Sequence, residues 1–197
     1  MIRTFLWHGS NALLIVALLS LVSTFALGAI GFSVAAALIG IGVFLANEYT
    51  THRYLFHAKP SSIGFVLRLQ HRLHYDHHLD PAKLDLLFLP VWFVVPVVGL
   101  FGGITYAVTR NVDITVSLVF GSLLAMTYYE WVHYIAHIPF QPRTPWGTWM
   151  KKYHLWHHFK NEHLWFGVTN PSMDLLGMSF KRVTEVEKSG TTQVLYQ

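Results

Sequence analysis

Four long apolar runs, from about Ser10 to Leu27, Ile30 to Ala46, Leu86 to Val108 and Ile114 to Trp131, limit how this 197-residue chain can fold. Each is near the length that a hydrocarbon core of about 30 Å demands of a helix. Inside lipid a helix pairs every backbone N–H and C=O within its own segment. The chain is therefore predicted to be an all-α integral membrane protein with four transmembrane helices. Composition agrees, since 53% of residues are hydrophobic and only 12% are charged. The length leaves room for a single domain over residues 1–197.

Gly28 and Gly31 fall at the turn between the first two runs, which reads as a transmembrane hairpin. Ala26-Leu27-Gly28 weakly resembles a signal-peptidase site, but the run is long for a signal core and a second span follows at once. The third run carries Pro90, Pro96 and Gly102-Gly103, so one kinked span or a broken pair is expected there. Between the second and third runs, residues 47–85 turn rich in His, Arg, Lys and Asp; the stretch 62–73 within them is amphipathic and suits a helix lying at the interface. After the fourth run Pro139, Pro142 and Pro145 interrupt regularity, and Trp146 and Trp149 suit anchoring at headgroup level. The polar stretch from Val183 to Gln197 is expected to fray.

Four spans place 13 of the 14 lysines and arginines on one side, with Arg110 alone between spans three and four. The positive-inside rule makes that side cytoplasmic. The parts of the chain that protrude there are 47–85 and 132–182. The net charge of +4 is spread through loops beside apolar segments, which fits anionic lipid headgroups and argues against nucleic acid as a partner. No cysteine is present, so disulfides and thiolate-held iron–sulfur or haem sites are excluded.

Ten of the 13 histidines fall in four groups on the same side: His52 and His57; His74, His77 and His78; His133 and His137; His154, His157 and His158. The last three, in Lys151-Lys152-Tyr153-His154-Leu155-Trp156-His157-His158-Phe159-Lys160-Asn161, lie at offsets of three and four on one helix face, where they can meet one ion. His133 and His137 share a face in the same way, and so do His74, His77 and His78. The five-residue separation of His52 and His57 is about 140° around an ideal helix, so that pair needs a helix end, a distortion or two different ions. Ten imidazoles are too many for one ion and suit two ions with five each. Neutral imidazoles around two dications leave a positive charge that carboxylates nearby would offset, and Glu130, Asp76 and Asp80 are the candidates, Asp80 serving equally well as a turn residue before Pro81.

Imidazole accepts zinc, copper, iron and nickel, so ligand type alone leaves the metal open. Zinc can support hydrolysis, although hydrolysis rarely needs ten ligands. Two irons can instead activate dioxygen, and an apolar setting fits a lipid substrate. A histidine-rich metal transporter is the non-enzyme alternative, but it would place its ligands near the bilayer midplane.

The histidine spacing over residues 52 to 158, followed by Phe166-Gly167-Val168-Thr169, resembles the fatty acid hydroxylase and sterol desaturase superfamily, with greatest similarity to its fatty acid 2-hydroxylase branch. The resemblance covers roughly residues 45 to 180. It implies that the ten histidines are catalytic metal ligands for two irons, with zinc able to occupy the same imidazoles. The implied reaction is dioxygen-dependent insertion of a hydroxyl next to the carboxyl carbon of a fatty acid or sphingolipid acyl group. Tyr129 and Asn161 match a tyrosine and an asparagine of the branch and are implied as residues supporting the ligands. Glu130 stands where the branch has aspartate, and Asn170-Pro171-Ser172-Met173-Asp174 lacks the branch's aromatic residues. Desaturation, or attack on a sterol or carotenoid, stays open on the same ligands, because substrate position decides between oxygen insertion and a second hydrogen removal. No haem, flavin or nicotinamide motif is found, so a separate reductase or ferredoxin-like protein is expected to deliver electrons, docked by the basic loops.

Overall fold

The computed structural model describes residues 1–196 and is all-helical, with no strand among the described residues. In chain order the elements are α1 (Ile2–Trp7), α2 (Gly9–Ala26), α3 (Val34–Thr51), a π-helical turn (His52–Phe56), α4 (Gly64–Gln70), a second π-helical turn (His71–Tyr75), α5 (Asp76–Leu79), α6 (Leu84–Leu87), α7 (Val91–Thr109), α8 (Val112–His137), α9 (Pro145–Phe159) and α10 (Ser172–Leu176). Four helical stretches, Gly9–Ala26, Val34–Phe56, Leu84–Thr109 and Val112–His137, are long and apolar enough to cross a membrane. The second and fourth outrun the apolar segments that announce them, because the helices continue through Glu48 to the first histidine and through Glu130 to His137. The third resolves its proline and glycine content as a short helix, a break closed by Pro90 as the cap of α7, and then one helix with Pro96 inside it.

The chain divides into two compact units. One comprises Met1–Leu45 and Leu89–Glu130. Its core is Leu14, Phe44, Val94, Leu123, Ala125 and Met126. Gly28 takes a φ of 68° and so ends the first span in a left-handed turn that side chains resist. The outward faces carry large apolar side chains such as Leu38, Leu100 and Val108, an arrangement that lipid accepts and water does not. Within this unit α3 and α8 touch backbone to backbone: a Cβ on Gly40 would lie 2.1 Å from the Leu118 carbonyl oxygen, and one on Gly121 would lie 2.0 Å from that of Ala37. Without a hydrophobic drive between helices in lipid, such close approach is what holds spans together. Gly121→Ala is expected to force the helices apart and cost about 1–3 kcal/mol, read as a lower melting temperature in detergent; an unchanged melting curve would refute the contact.

The other unit comprises Ala46–Phe88 and the chain from Trp131 onward. Its apolar core is Met150, Tyr153 and Trp165, packed on by Val132, Trp149, Trp156, Leu164, Phe180, Val183 and Val186. Trp149 lies against Tyr153 with ring centroids 4.9 Å apart, and Trp146 is exposed. α9 starts where its sequence announces: Thr144 caps it by accepting a hydrogen bond from the Gly147 amide, and Pro145 occupies the first turn, where its missing N–H costs nothing. The described residues at the end of the chain, 183–196, do not fray; Gln197 lies outside the described residues. Ser189 N donates to the Lys160 carbonyl, and Thr192 and Leu195 are buried.

Candidate metal centre

All ten clustered histidines lie in this second unit, in two groups of five. The first comprises His52, His57, His74, His78 and His157, the second His77, His133, His137, His154 and His158, and within each group one ligand nitrogen per residue lies within 4.8 Å of every other. Local backbone explains the sorting. The five-residue separation of His52 and His57 is served by the π-helical turn: His57 N donates to His52 O at 3.0 Å, and the wider turn brings both rings to one group. The second π-helical turn, His71–Tyr75, carries His74 itself and leads directly into the short helix that delivers His77 and His78. His74 and His78 then enter the first group at i, i+4, while His77 enters the second. The α9 histidines divide likewise, with His154 and His158 in the second group and His157 in the first. The expectation that His154, His157 and His158 meet one ion is thus corrected: offset three turns a ring far enough around the helix to reach the neighbouring group.

Inside the first group His57 Nε2 lies 2.7 Å from His74 Nε2 and 3.0 Å from His157 Nε2, and His74 Nε2 lies 3.2 Å from His52 Nε2. In the second, His133 Nε2 is 3.0 Å from His77 Nε2 and His137 Nε2 is 2.9 Å from His154 Nε2. A ring nitrogen offers one proton or one lone pair in its plane, so His57 Nε2 cannot complete hydrogen bonds to both neighbours. Imidazole nitrogens about 2.1 Å from a shared cation stand roughly 3 Å apart at right angles, which is the spacing seen. His78 Nε2 and both nitrogens of His158 are buried with no hydrogen-bond partner, as expected of atoms that need a cation. Burial, reinforced by neighbouring imidazoles, holds His57, His74, His77, His154, His157 and His158 well below the usual histidine range; His78 is lowered to about 4. The lone pairs are therefore free for metal. The groups adjoin, because His78 of the first stacks on His158 of the second with centroids 4.1 Å apart.

The first group is braced from outside by backbone carbonyls. His52 Nδ1–H donates to Phe166 O at 2.5 Å, His157 Nδ1–H to Leu164 O at 2.8 Å and His78 Nδ1–H to Thr192 O at 2.8 Å, which directs each Nε2 inward. The segment that supplies two of these carbonyls is held by two buried carboxylates. Asp174 accepts from Phe166 N at 2.8 Å and Gly167 N at 2.7 Å; Glu48 accepts from Val168 N at 2.6 Å, Thr169 N at 3.0 Å and Thr169 Oγ1 at 2.6 Å. Between Leu164 and Phe166, which supply the two carbonyls, Trp165 takes a φ of 59°, a strained conformation for a bulky residue. The signal that could have found Glu48 was the one used for Glu130, an acid at the end of an apolar run.

The carboxylates expected to offset the metal charge make the following contacts. Glu130 is fully buried, and its Oε1 accepts from Leu89 N at 3.0 Å, closing the break before α7. Asp76 pairs at the surface with His71 Nδ1, 3.0 Å away, and Asp80 is exposed. Asn161 Oδ1 accepts from His163 N at 3.0 Å and shapes the turn that brings Leu164 O to His157. Tyr129 packs in the core of the first unit, edge-on to Phe44 at 6.1 Å.

Three of the basic residues beside the apolar runs are used internally. Lys151 Nζ donates to the carbonyls of Ile135, Ile138 and Phe140 at 2.9, 2.7 and 2.9 Å, capping the end of α8 just where His137 departs from it. Lys160 donates to Val183 O, and Arg53 donates to Tyr49 Oη and Gly177 O. Lys151→Met is expected to cost about 2–3 kcal/mol by leaving three carbonyls without their charged donor; a variant melting with the wild type would show the cap to be idle.

The fatty acid hydroxylase family model matches residues 37–179. The dihydroceramide fatty acyl 2-hydroxylase FAH1 of Arabidopsis thaliana is 28% identical over 147 residues, covering 70% of this chain and 57% of that protein. The ceramide very long chain fatty acid hydroxylase SCS7 of Saccharomyces cerevisiae is 33% identical over 136 residues, covering 67% of this chain and 34% of that one. The chain thus spans from about a third to somewhat over half the length of these relatives. A solved structure described as full-length scs7p, with only the hydroxylase domain visible, superposes with a TM-score of 0.75 at 25% identity, over 90% of this chain and 67% of that one. The sequence motifs, the paired histidine groups and the match over residues 37–179 converge: the chain belongs to the fatty acid hydroxylase family.

Proposed function

We propose that this chain is a membrane-bound non-haem di-iron monooxygenase that hydroxylates an acyl chain, at the carbon next to the carboxyl group of a fatty acid or a sphingolipid acyl group. The observation that carries the reading is the pair of groups, each of five histidines whose ligand nitrogens lie within 4.8 Å of one another. Two irons held there supply, with dioxygen, an oxidant able to break an unactivated C–H bond. His52, His57, His74, His78 and His157 hold one ion; His77, His133, His137, His154 and His158 hold the other. The carbonyls of Phe166, Leu164 and Thr192 keep three rings of the first set in the tautomer that presents Nε2. Phe166, edge-on to His52 at 5.6 Å and set against His57 at 5.3 Å, walls that set against water.

The overall balance is one C–H bond, one dioxygen, two electrons and two protons giving one C–OH and one water. The electrons come from a separate reductase or ferredoxin-like protein, and the basic-residue bias supports a cytoplasmic side for the histidines. The substrate class is supported by the 2-hydroxylase and ceramide hydroxylase names of the relatives.

The test is mass spectrometry of total lipids from cells expressing the chain under isotopically heavy dioxygen, beside His154→Ala. One heavy oxygen gained at the 2-position of an acyl chain, and only with the intact histidine, is the expected result. Loss of two hydrogens without label would replace the hydroxylase reading with a desaturase. Identical lipids from the two strains, with metal loaded and electrons supplied, would overturn it.

A further inference from the structure

The two histidine groups differ in how they are braced. Carbonyls hold three rings of the first group, whereas Nδ1 of His77 and of His154 in the second is buried without a hydrogen-bond partner. One of the three carbonyls comes from the last residues of the chain, which composition marks as a loose tail. Those residues are fastened at several points. Ser189 N donates to Lys160 O at 2.8 Å; Ser189 Oγ donates to Glu162 Oε1 at 2.9 Å, and Thr191 Oγ1 donates to the same oxygen. Thr192 O then receives His78 Nδ1–H, and Tyr196 Oη donates to the carbonyl of His57 at 2.6 Å. Two ligands of one group are thus touched by one short segment, and a single fully buried carboxylate holds its start.

We propose that the segment Ser189–Tyr196 is a strap that positions His78 and His57 for the first ion, with Glu162 as its anchor. The proposal rests on the reading of the ten histidines as ligands of two ions. Glu162 is a positioning residue: its carboxylate fixes Ser189 and Thr191, these fix the course of the chain to Thr192, and the Thr192 carbonyl sets the tautomer and rotation of His78. The ring of Tyr196, 5.8 Å from that of Tyr75, closes the far end of the strap. Outer contacts of this kind are worth about 10–100-fold in metal affinity, so losing them should loosen one ion and leave the other.

The experiment follows metal release into excess chelator from the purified, detergent-solubilised full chain. Its variants are Ser189→Ala with Thr191→Val, Glu162→Ala, and a chain ended after Lys188; Glu162→Gln, which keeps an acceptor oxygen, and His78→Ala are the controls. The strap predicts that the first three release one of the two ions about 10–100-fold faster than the wild type, with the second ion at its ordinary rate, and that Glu162→Gln keeps the slow rate. The unshifted second ion serves as the control for folding, and the double variant covers a shortened chain that fails to fold. Release of both ions at wild-type rates in the double variant and Glu162→Ala would overturn the strap, as would release of both together at one raised rate. If instead His78→Ala retains both ions, the two-ion reading fails, whatever the strap variants do.

Discussion

On the proposed two-ion reading, His57→Ala is expected to strip one of the two ions from the chain and bring the proposed hydroxylation to background, as large an effect as any single substitution should have. His57 Nε2 stands 2.7 Å from His74 Nε2 and 3.0 Å from His157 Nε2, so its removal opens the middle of a five-nitrogen group. No nearby side chain can replace it, because the rings around it are themselves ligands. The loss of turnover should exceed the roughly 100-fold that removing an outer contact can cost. Metal analysis and product formation on the same preparation check it. His71→Ala, at an exposed histidine paired with Asp76, is the matched control and should keep both ions and full turnover. A His57→Ala protein with two ions and normal turnover would remove His57 from the ligand set.

Glu48→Ala is expected to be the most destabilising change outside the ligands. Its carboxylate accepts from two backbone amides and a hydroxyl, at 2.6, 3.0 and 2.6 Å, all buried. Unpaired buried donors cost about 1–3 kcal/mol each, so a loss of about 3–5 kcal/mol follows even if one donor finds water. Part of that loss should appear as a weaker first ion, since the segment released carries the Phe166 carbonyl on His52. Thermal unfolding of the apo protein in detergent isolates the stability effect from metal binding. Glu48→Gln, which retains one acceptor oxygen, should fall between. A melting temperature within a degree or two of wild type for the alanine variant would show that the segment is held elsewhere.

The sequence made the large features legible because they are governed by one-dimensional rules. Span length follows from bilayer thickness, and the four helices appear where the apolar runs stand. The ten histidines announce metal by number and spacing, and their arrangement in fives is what coordination chemistry suggests. What stayed hidden depends on backbone geometry or on tertiary position. The π-helical turn at His52–Phe56 has no residue signature, and only the awkward five-residue interval hints that a regular helix would fail. The division of α9's histidines depends on which face meets which neighbour. Carbonyl partners such as Phe166 O, Leu164 O and Thr192 O leave no trace in residue type, since every residue carries one. The same blindness made a polar C-terminal stretch look loose when its hydroxyls were committed to Glu162. Nor does charge reveal its partners: Lys151, Arg53 and Lys160 count only toward the side of the membrane in the sequence, yet each donates to backbone carbonyls or a tyrosine hydroxyl.

The most direct test of a paired five-and-five histidine centre is iron counting with X-ray absorption at the iron edge, on the intact chain purified from iron-supplied cells. Two irons per chain, each in a shell of about five nitrogens near 2.1 Å, are the expected result. One iron per chain, or a shell dominated by carboxylate oxygen, would contradict it.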